Sequence, residues 1–294
     1  MIKKHENTRA EKEQDRIRHV DTCNAQTGPI FLAYRRNEVI TDCVNKHKKG
    51  EAVYDFTSPD GIRHRVFKID DADSINAIKE AFAGINEIYI ADGHHRCASA
   101  VRVSKMRREA NPDYTGNEDF NYFLSVLFPD EELCIMDYNR VLKDLNGYSE
   151  EELLSELSQL FDIEKSDAPV KPSVKGQMGL YLKNSGWYTL NVHDSLKSDD
   201  PVKGLDVSIL QENVLTPIFG IDDPKTDSRI DFVGGIRGLA ELERRCHADC
   251  VAAFSMYPTS IHELFDVADA NRLMPPKSTW FEPKLRSGIF IHLI

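Results

Sequence analysis

The chain has 294 residues, 41% of them hydrophobic and 29% charged, with a formal net charge of −11. That is the composition of an ordinary soluble protein with room for two modest domains, and its acidic balance argues against a nucleic-acid partner. No apolar run is long enough to span a bilayer, and Met1-Ile2-Lys3-Lys4-His5-Glu6 has no apolar stretch after its charges, so neither a membrane segment nor a signal peptide is expected.

Thr8-Arg9-Ala10-Glu11 has the spacing of a capping box, which predicts a helix from there to about His19 or Cys23. It is charged on nearly every face, so it should pack weakly or lie along a cleft. Gly28-Pro29 ends it, and Ile30 to Tyr34 reads as a strand. Asn37 should cap a helix carrying Ile40, Val44 and His47, closed by Gly50. Ala52 to Thr57 and Ile62 to Ile69 alternate around Ser58-Pro59-Asp60-Gly61, a hairpin signal. Ser74 or Asp73 then caps a helix that stops at Gly84. Ile88 to Ala91 is a strand that hands over directly to a helix ending near Ala110, before Asn111-Pro112.

Strands are expected at Asn121 to Phe128 and Leu133 to Leu142. A second capping box, Ser149 to Glu152, opens a helix expected to carry Leu160 and Phe161. Lys165 to Gly176 has no periodicity and marks the boundary between a first domain, 1–164, and a second, 165–294. In the second, Gly179 to Leu182 and Trp187 to Val192 flank a hairpin turn. Helices follow near Asp206 to Leu215 and Gly238 to His247, with strands at Ile230 to Val233 and Val251 to Met256. A helix at Ile261 to Asn271 and a strand at Gly288 to Leu293 close the chain. The class is α+β, mixed α and β. Six cysteines without a CxxC pair fit free thiols in a reducing cytoplasm.

The chemistry concentrates at Asp92-Gly93-His94-His95-Arg96, where strand becomes helix. A helix start exposes unpaired N–H groups at the positive end of the dipole, a ready anion site. Gly93 lets the backbone approach a ligand, and Arg96 can fork onto phosphate oxygens. His94 and His95 can donate hydrogen bonds or move protons. Asp92 can hold a magnesium ion or accept a proton from a hydroxyl. The plainer reading makes Asp92 an N-cap and one histidine a core residue. Two histidines and an arginine in a single first turn are hard to explain by packing, and both histidines are expected to face an accessible cleft.

Gly93 to Arg96 resembles the turn that opens a phosphate-gripping helix in sulfiredoxins and ParB proteins. His94 stands where sulfiredoxins have cysteine, so their redox chemistry is not implied. Asp92 to Arg96 is closer to the signature of free serine kinases. Together with Ile2 to Thr8 and Met274 to Thr279, it identifies the chain as resembling the family called domain of unknown function 1015. Members of that family usually carry about a hundred further residues ahead of the Lys-His-Glu segment. The resemblance implies a ParB/sulfiredoxin-like core with an additional carboxy-terminal α/β region, and it makes Glu6 the candidate catalytic base. It also favours a site role for Lys277, Ser278 and Thr279, where a lysine and two hydroxyls follow Pro275-Pro276.

The remaining constellations are weaker. Gly234-Gly235-Ile236-Arg237-Gly238 lacks dinucleotide-fingerprint spacing and reads as a tight turn. Cys246-His247-Ala248-Asp249-Cys250 fits no zinc motif and reads as buried thiols. The expectation is therefore a cytoplasmic phosphotransferase using ATP or ADP with Mg2+. The phosphates would lie on Gly93 to Arg96 with Lys277 to Thr279, the metal on Asp92, and a small hydroxyl metabolite such as free serine would be the substrate. The alternative is a ParB-like nucleotide-binding regulatory module without an acceptor. A third, metal-dependent hydrolysis by Asp92, His94 and His95, needs a ligand cluster.

Overall fold

The computed structural model describes residues 1–282 and 284–294. They fall into two compact units, Met1–Leu133 with Pro283–Ile294, and Cys134–Glu282. The first unit begins with β1 (Ile2–Lys3), α1 (Ala10–Cys23), β2 (Ala25–Gln26), β3 (Ile30–Tyr34) and α2 (Glu38–His47). It continues through β4 (Tyr54–Thr57), β5 (Arg63–Val66), α3 (Ala72–Ala83), β6 (Ile88–Asp92), α4 (His94–Ala110) and β7 (Ser125–Pro129). Four strands form a sheet in the order β1-β6-β3-β7. β1 runs parallel to β6, β6 antiparallel to β3, and β3 parallel to β7.

The sequence explains the centre of this sheet. Ile30-Phe31-Leu32-Ala33-Tyr34 is apolar at every position, and all five residues of β3 are buried, as a strand covered on both faces must be. Ile30, Leu32 and Ile90 meet Ala100 of α4, with Cys97 and Leu127 at the margin of the cluster. α1 is less idle than its charges suggest. Ile17 and Val20 pack on Val103 of α4, and burying such side chains is worth roughly 1.5–3 kcal/mol each.

Several local expectations shift. Thr8 does not cap α1. Its hydroxyl donates to Glu13 at 2.7 Å, and Arg9 takes the cap position, so no side chain caps the first turn. Asn37 does cap α2, accepting from the N–H groups of Val39 and Ile40. Asp71 caps α3 by accepting from Ser74 N–H at 2.9 Å, so the helix starts earlier than the sequence suggested. The hairpin forms as β4 and β5, antiparallel.

The second unit contains β8 (Cys134–Met136), β9 (Tyr138–Leu142), α5 (Glu150–Leu157), β10 (Phe161–Ser166), β11 (Gln177–Leu182), β12 (Gly186–Val192) and α6 (Asp206–Leu210). Then come β13 (Ile230–Gly234), α7 (Leu239–Ala248), β14 (Ala252–Ser255), α8 (Ile261–Asp269) and β15 (Trp280–Glu282). Six strands make an antiparallel sheet in the order β10-β12-β11-β14-β9-β13. Within the first unit, the short β16 (His292–Leu293) pairs antiparallel with β2.

The segment expected as one strand from Leu133 to Leu142 is two. It breaks at Asp137, whose carbonyl accepts from Gly235 N–H at 2.7 Å and whose carboxylate accepts from Asn139 at 2.5 Å. The capping box at Ser149 and Glu152 is complete, but Phe161 opens a strand opposite Val192 instead of extending the helix. Lys165 and Ser166 therefore belong to the second unit's sheet, and the units exchange at Leu133/Cys134 while the expected boundary was 164/165. Cys246 on the buried face of α7 and Cys250 just after it pack with Leu242 and Trp187. Burial, first of all, pushes the Cys246 thiol up to about 12, the state of an inert thiol. Gly234 and Gly235 are explained by packing, because a Cβ there would collide with the Trp280 ring and the Asp137 carboxylate. Among the described residues no helix is long and apolar enough to cross a membrane.

Candidate functional site

β6 ends at Asp92, Gly93 turns, and α4 begins at His94 with nothing between. Gly93 has φ +90°, a region in which a side chain is strained. It serves as the helix cap, so no cap side chain covers the start, and the first turn holds no acidic residue. The first intrahelical bond is Cys97 N–H to Gly93 C=O. The N–H groups of His94, His95 and Arg96 therefore precede the ladder and point out of it. The Arg96 side chain folds back across the turn, so a Cβ on Gly93 would lie 2.9 Å from its Nε. Gly93→Ala should accordingly cost roughly 1–2 kcal/mol from backbone strain alone, and it should displace the guanidinium. Urea denaturation measures the first effect. A variant as stable as wild type would show that the turn relaxes around a side chain.

Asp92 is at the strand end, 43% exposed. One of its oxygens accepts from Gly93 N–H at 2.7 Å, and the other lies 3.8 Å from Lys284 Nζ. The amino-terminal segment comes to the same place because β1 runs parallel to β6, with Ile2 opposite Ile88 and Lys3 opposite Tyr89. Two residues on, His5 is only 3% exposed. Its ring meets that of His94 edge to face, centroids 4.6 Å apart. Burial holds His95 below the ordinary histidine value, and the half-buried Glu6 is close enough for its charge to oppose this. Arg9 N–H donates to His95 Nε2 at 2.9 Å, which fixes that nitrogen as the unprotonated one. Glu6, Asp92, Gly93, His94, His95 and Arg96 are thus gathered in one unit.

The two histidines are not equivalent. His95 is half-exposed. His94 is not: it is 8% exposed and turned toward His5. Desolvation, the largest cause, pulls its pKa down to about 4; Asp92 opposes this, and His95 and Lys4 reinforce it. Burial likewise holds His5 well below the ordinary histidine value, with His94 adding to the effect. Both rings are therefore neutral at pH 7. His5 Nδ1 and His94 Nε2 are buried without a hydrogen-bond partner, and a neutral site that leaves such groups unpaired pays for it until something supplies a partner. His5 was passed over in the sequence because a two-residue strand carries no periodic signal.

Arg96 is half-buried, and burial lowers its proton affinity, with Asp92 opposing and Arg16 reinforcing. Lys277, Ser278 and Thr279 belong to the second unit. Ser278 is buried there, its hydroxyl donating to the Pro275 carbonyl at 2.6 Å. That hydroxyl is committed to a turn in this structure. Lys277 has φ +62° and its ammonium lies 5.7 Å from the Tyr138 ring centroid. Among the described residues no three His, Cys, Asp or Glu side chains are grouped to hold a metal ion, so a hydrolase site built on His94 and His95 as ligands has no support. Magnesium asks for less, one or two carboxylates plus phosphate and water oxygens, and Asp92 fits that donor set.

The family described as "Protein of unknown function (DUF1015)" matches residues 1–208. No curated protein matches the chain. Among solved structures, the chain is similar to SbnI with C-terminal truncation from Staphylococcus aureus, at 10% identity and a TM-score of 0.52, over 99% of this chain and 84% of that one. It is similar to free serine kinase in complex with AMP at 13% identity and a TM-score of 0.46, over 95% and 83%. A conserved hypothetical protein from Pyrococcus furiosus is similar at 15% identity and a TM-score of 0.43, over 97% and 89%. The SbnI likeness shows a shared fold.

Proposed function

The chain belongs to the DUF1015 family, and on that premise we propose that it is a nucleotide-dependent phosphotransferase acting on a small hydroxyl metabolite such as free serine. The observation that carries this reading is the start of α4. It joins an uncapped helix end, a glycine that lets a ligand reach the backbone, an arginine folded across it, and a buried neutral histidine with an unpaired nitrogen. The first three favour an anion with several oxygens, and the phosphates of ATP or ADP supply them.

In this reading the phosphates lie on the N–H groups of His94 to Arg96, with the Arg96 guanidinium across their oxygens. Asp92 holds Mg2+, which when bound neutralises phosphate charge. Glu6 takes the proton of the acceptor hydroxyl, with His95 beside it. His94 acts as a neutral hydrogen-bonding support behind the turn, a smaller role than the sequence suggested. Catalysis is then mostly positioning and charge neutralisation. Lys277 and Thr279 stay candidates for a further phosphate contact, as the family resemblance implies.

The test is to incubate the protein with ATP, Mg2+ and a panel of small alcohols including L-serine, following ADP release and the phosphorylated product by phosphorus NMR. Transfer that depends on the acceptor is expected, and Glu6→Gln should slow it without weakening ATP binding. ATP binding with no transfer to any acceptor would leave the regulatory-module reading instead. Absence of nucleotide binding would overturn both.

A further inference from the structure

We propose that a small cavity behind the Gly93 turn is a second oxyanion subsite, in which Arg16 and Arg96 together hold one carboxylate or phosphate headgroup. The inference rests on the phosphotransferase reading only through Arg96, which serves both. The cavity lies within the amino-terminal unit, between the exposed face of α1, the turn before β3, and the side of α4 that carries Arg96 and Ser99.

Size decides the class of ligand. The cavity is about 50 Å³. Pockets that take whole drug-sized ligands run to several hundred Å³, whereas a space of a few water volumes takes a single headgroup. A nucleoside does not fit.

Charge decides the sign. Two guanidiniums and the His19 imidazole line the cavity, and no carboxylate does. Neither Arg16 nor Arg96 is in an ion pair among the described residues. The charge of Arg16 reaches Arg96 closely enough to disfavour its protonation. Asp92, the carboxylate that Arg96 does feel, lies outside the cavity wall. Two like charges turned toward one space without a counter-ion repel each other, and an oxyanion between them removes the cost and gains forked hydrogen bonds.

Shape supplies the third argument. A Cβ at Gly28 would stand 2.9 Å from Ser287 Oγ and 3.4 Å from Arg96 Nη1. The glycine has no positive φ, so the backbone does not require it there. It leaves room where the arginine and a hydroxyl converge. Thr27 is occupied with His19 at 3.2 Å, and Ser99 donates to the Arg96 carbonyl at 2.9 Å. The two arginines and Ser287 are left to bind.

The headgroup has two possible sources, the carboxylate of an amino-acid acceptor or a phosphate of the nucleotide. Isothermal titration of wild type, Arg16→Ala and Gly28→Ala with inorganic phosphate, L-serine and ATP separates them. Arg16 is exposed and unpaired, so its variant should melt at the wild-type temperature. Both variants should weaken at least one probe tenfold or more. A loss confined to L-serine assigns the carboxylate; a loss for ATP or phosphate assigns the phosphate. Affinities within twofold of wild type for all three probes in both variants overturn the subsite, as does a wild type that binds none of them. An effect of Arg16→Ala without one of Gly28→Ala also overturns it, leaving a long-range charge effect. If ATP fails to bind wild type but L-serine or phosphate binds through Arg16, the phosphotransferase reading falls and the subsite stands. If ATP binding depends on Arg96 while none of the three probes responds to Arg16→Ala or Gly28→Ala, the reverse holds.

Discussion

Between pH 7 and pH 5 the amino-terminal unit should lose about 2 kcal/mol of stability through His94 alone. The sign follows from proton binding. The ring titrates near 6.5 in the unfolded chain and about 4 in the folded one, so between those values the unfolded state binds the extra proton. Stability is full above 6.5 and falls as the pH drops toward 4, where the loss levels off. His5 is shifted the same way and adds to it. Asp92, His95, Lys4 and His5 are the groups facing His94 whose charge enters this balance. The second unit carries an opposing group. Asp206 is 6% exposed and burial raises its carboxyl to about 6 from an ordinary 3.8, against hydrogen bonds from Gly176 N–H and the charge of Lys175. It holds a proton in the folded state that the unfolded state releases, so it stabilises by about 1 kcal/mol over the same fall in pH. Denaturation of wild type, His94→Gln and Asp206→Asn at several pH values should separate the two. The first variant should flatten the loss, and the second should steepen it. Because the slope is read, an overall destabilisation by either substitution does not confuse the result. A His94→Gln variant with the wild-type slope would show that the ring is not buried neutral.

The strand-to-helix handover at Asp92 was legible because its signals are local. Four apolar residues lead to Asp92 and a glycine, and no helix breaker follows until Asn111-Pro112. The hairpin at Ser58 to Gly61 and the cap at Asn37 were legible for the same reason. What escaped the sequence depends on partners far along the chain. His94 looks like any first-turn histidine until β1 lays His5 against it, and β1 is too short to announce itself. Asp137 breaks a run of strand-forming residues through a bond to Gly235, almost a hundred positions away. The Ser278 hydroxyl resembles a phosphate ligand in sequence, and only the turn shows it spent on Pro275. Arg16 sits among charges that read as a solvated face. Its meaning comes from the cavity it shares with Arg96, which no spacing could reveal.

Replacing Arg96 with alanine should weaken ATP binding about tenfold to a hundredfold while leaving the fold intact, since a charge-assisted contact to phosphate is worth about 1.5–3 kcal/mol. The structure argues that little else would be lost. The guanidinium forms no ion pair among the described residues, and it sits in the first turn, at the positive end of the α4 dipole, where a cation is unfavourable without an anion. It is half-buried, and desolvation, the largest influence on it, works against its charge. Without ligand the alanine variant should therefore melt at the wild-type temperature or slightly above it. Arg96→Lys should fall between the two in affinity, keeping the charge and losing the fork. Had Arg96 been one half of a buried ion pair, its removal would cost several kcal/mol of stability and leave nucleotide affinity untouched. Melting temperature and ATP titration on wild type and both variants tell these cases apart. A large loss of stability with unchanged affinity would mean that Arg96 holds the turn together and grips nothing.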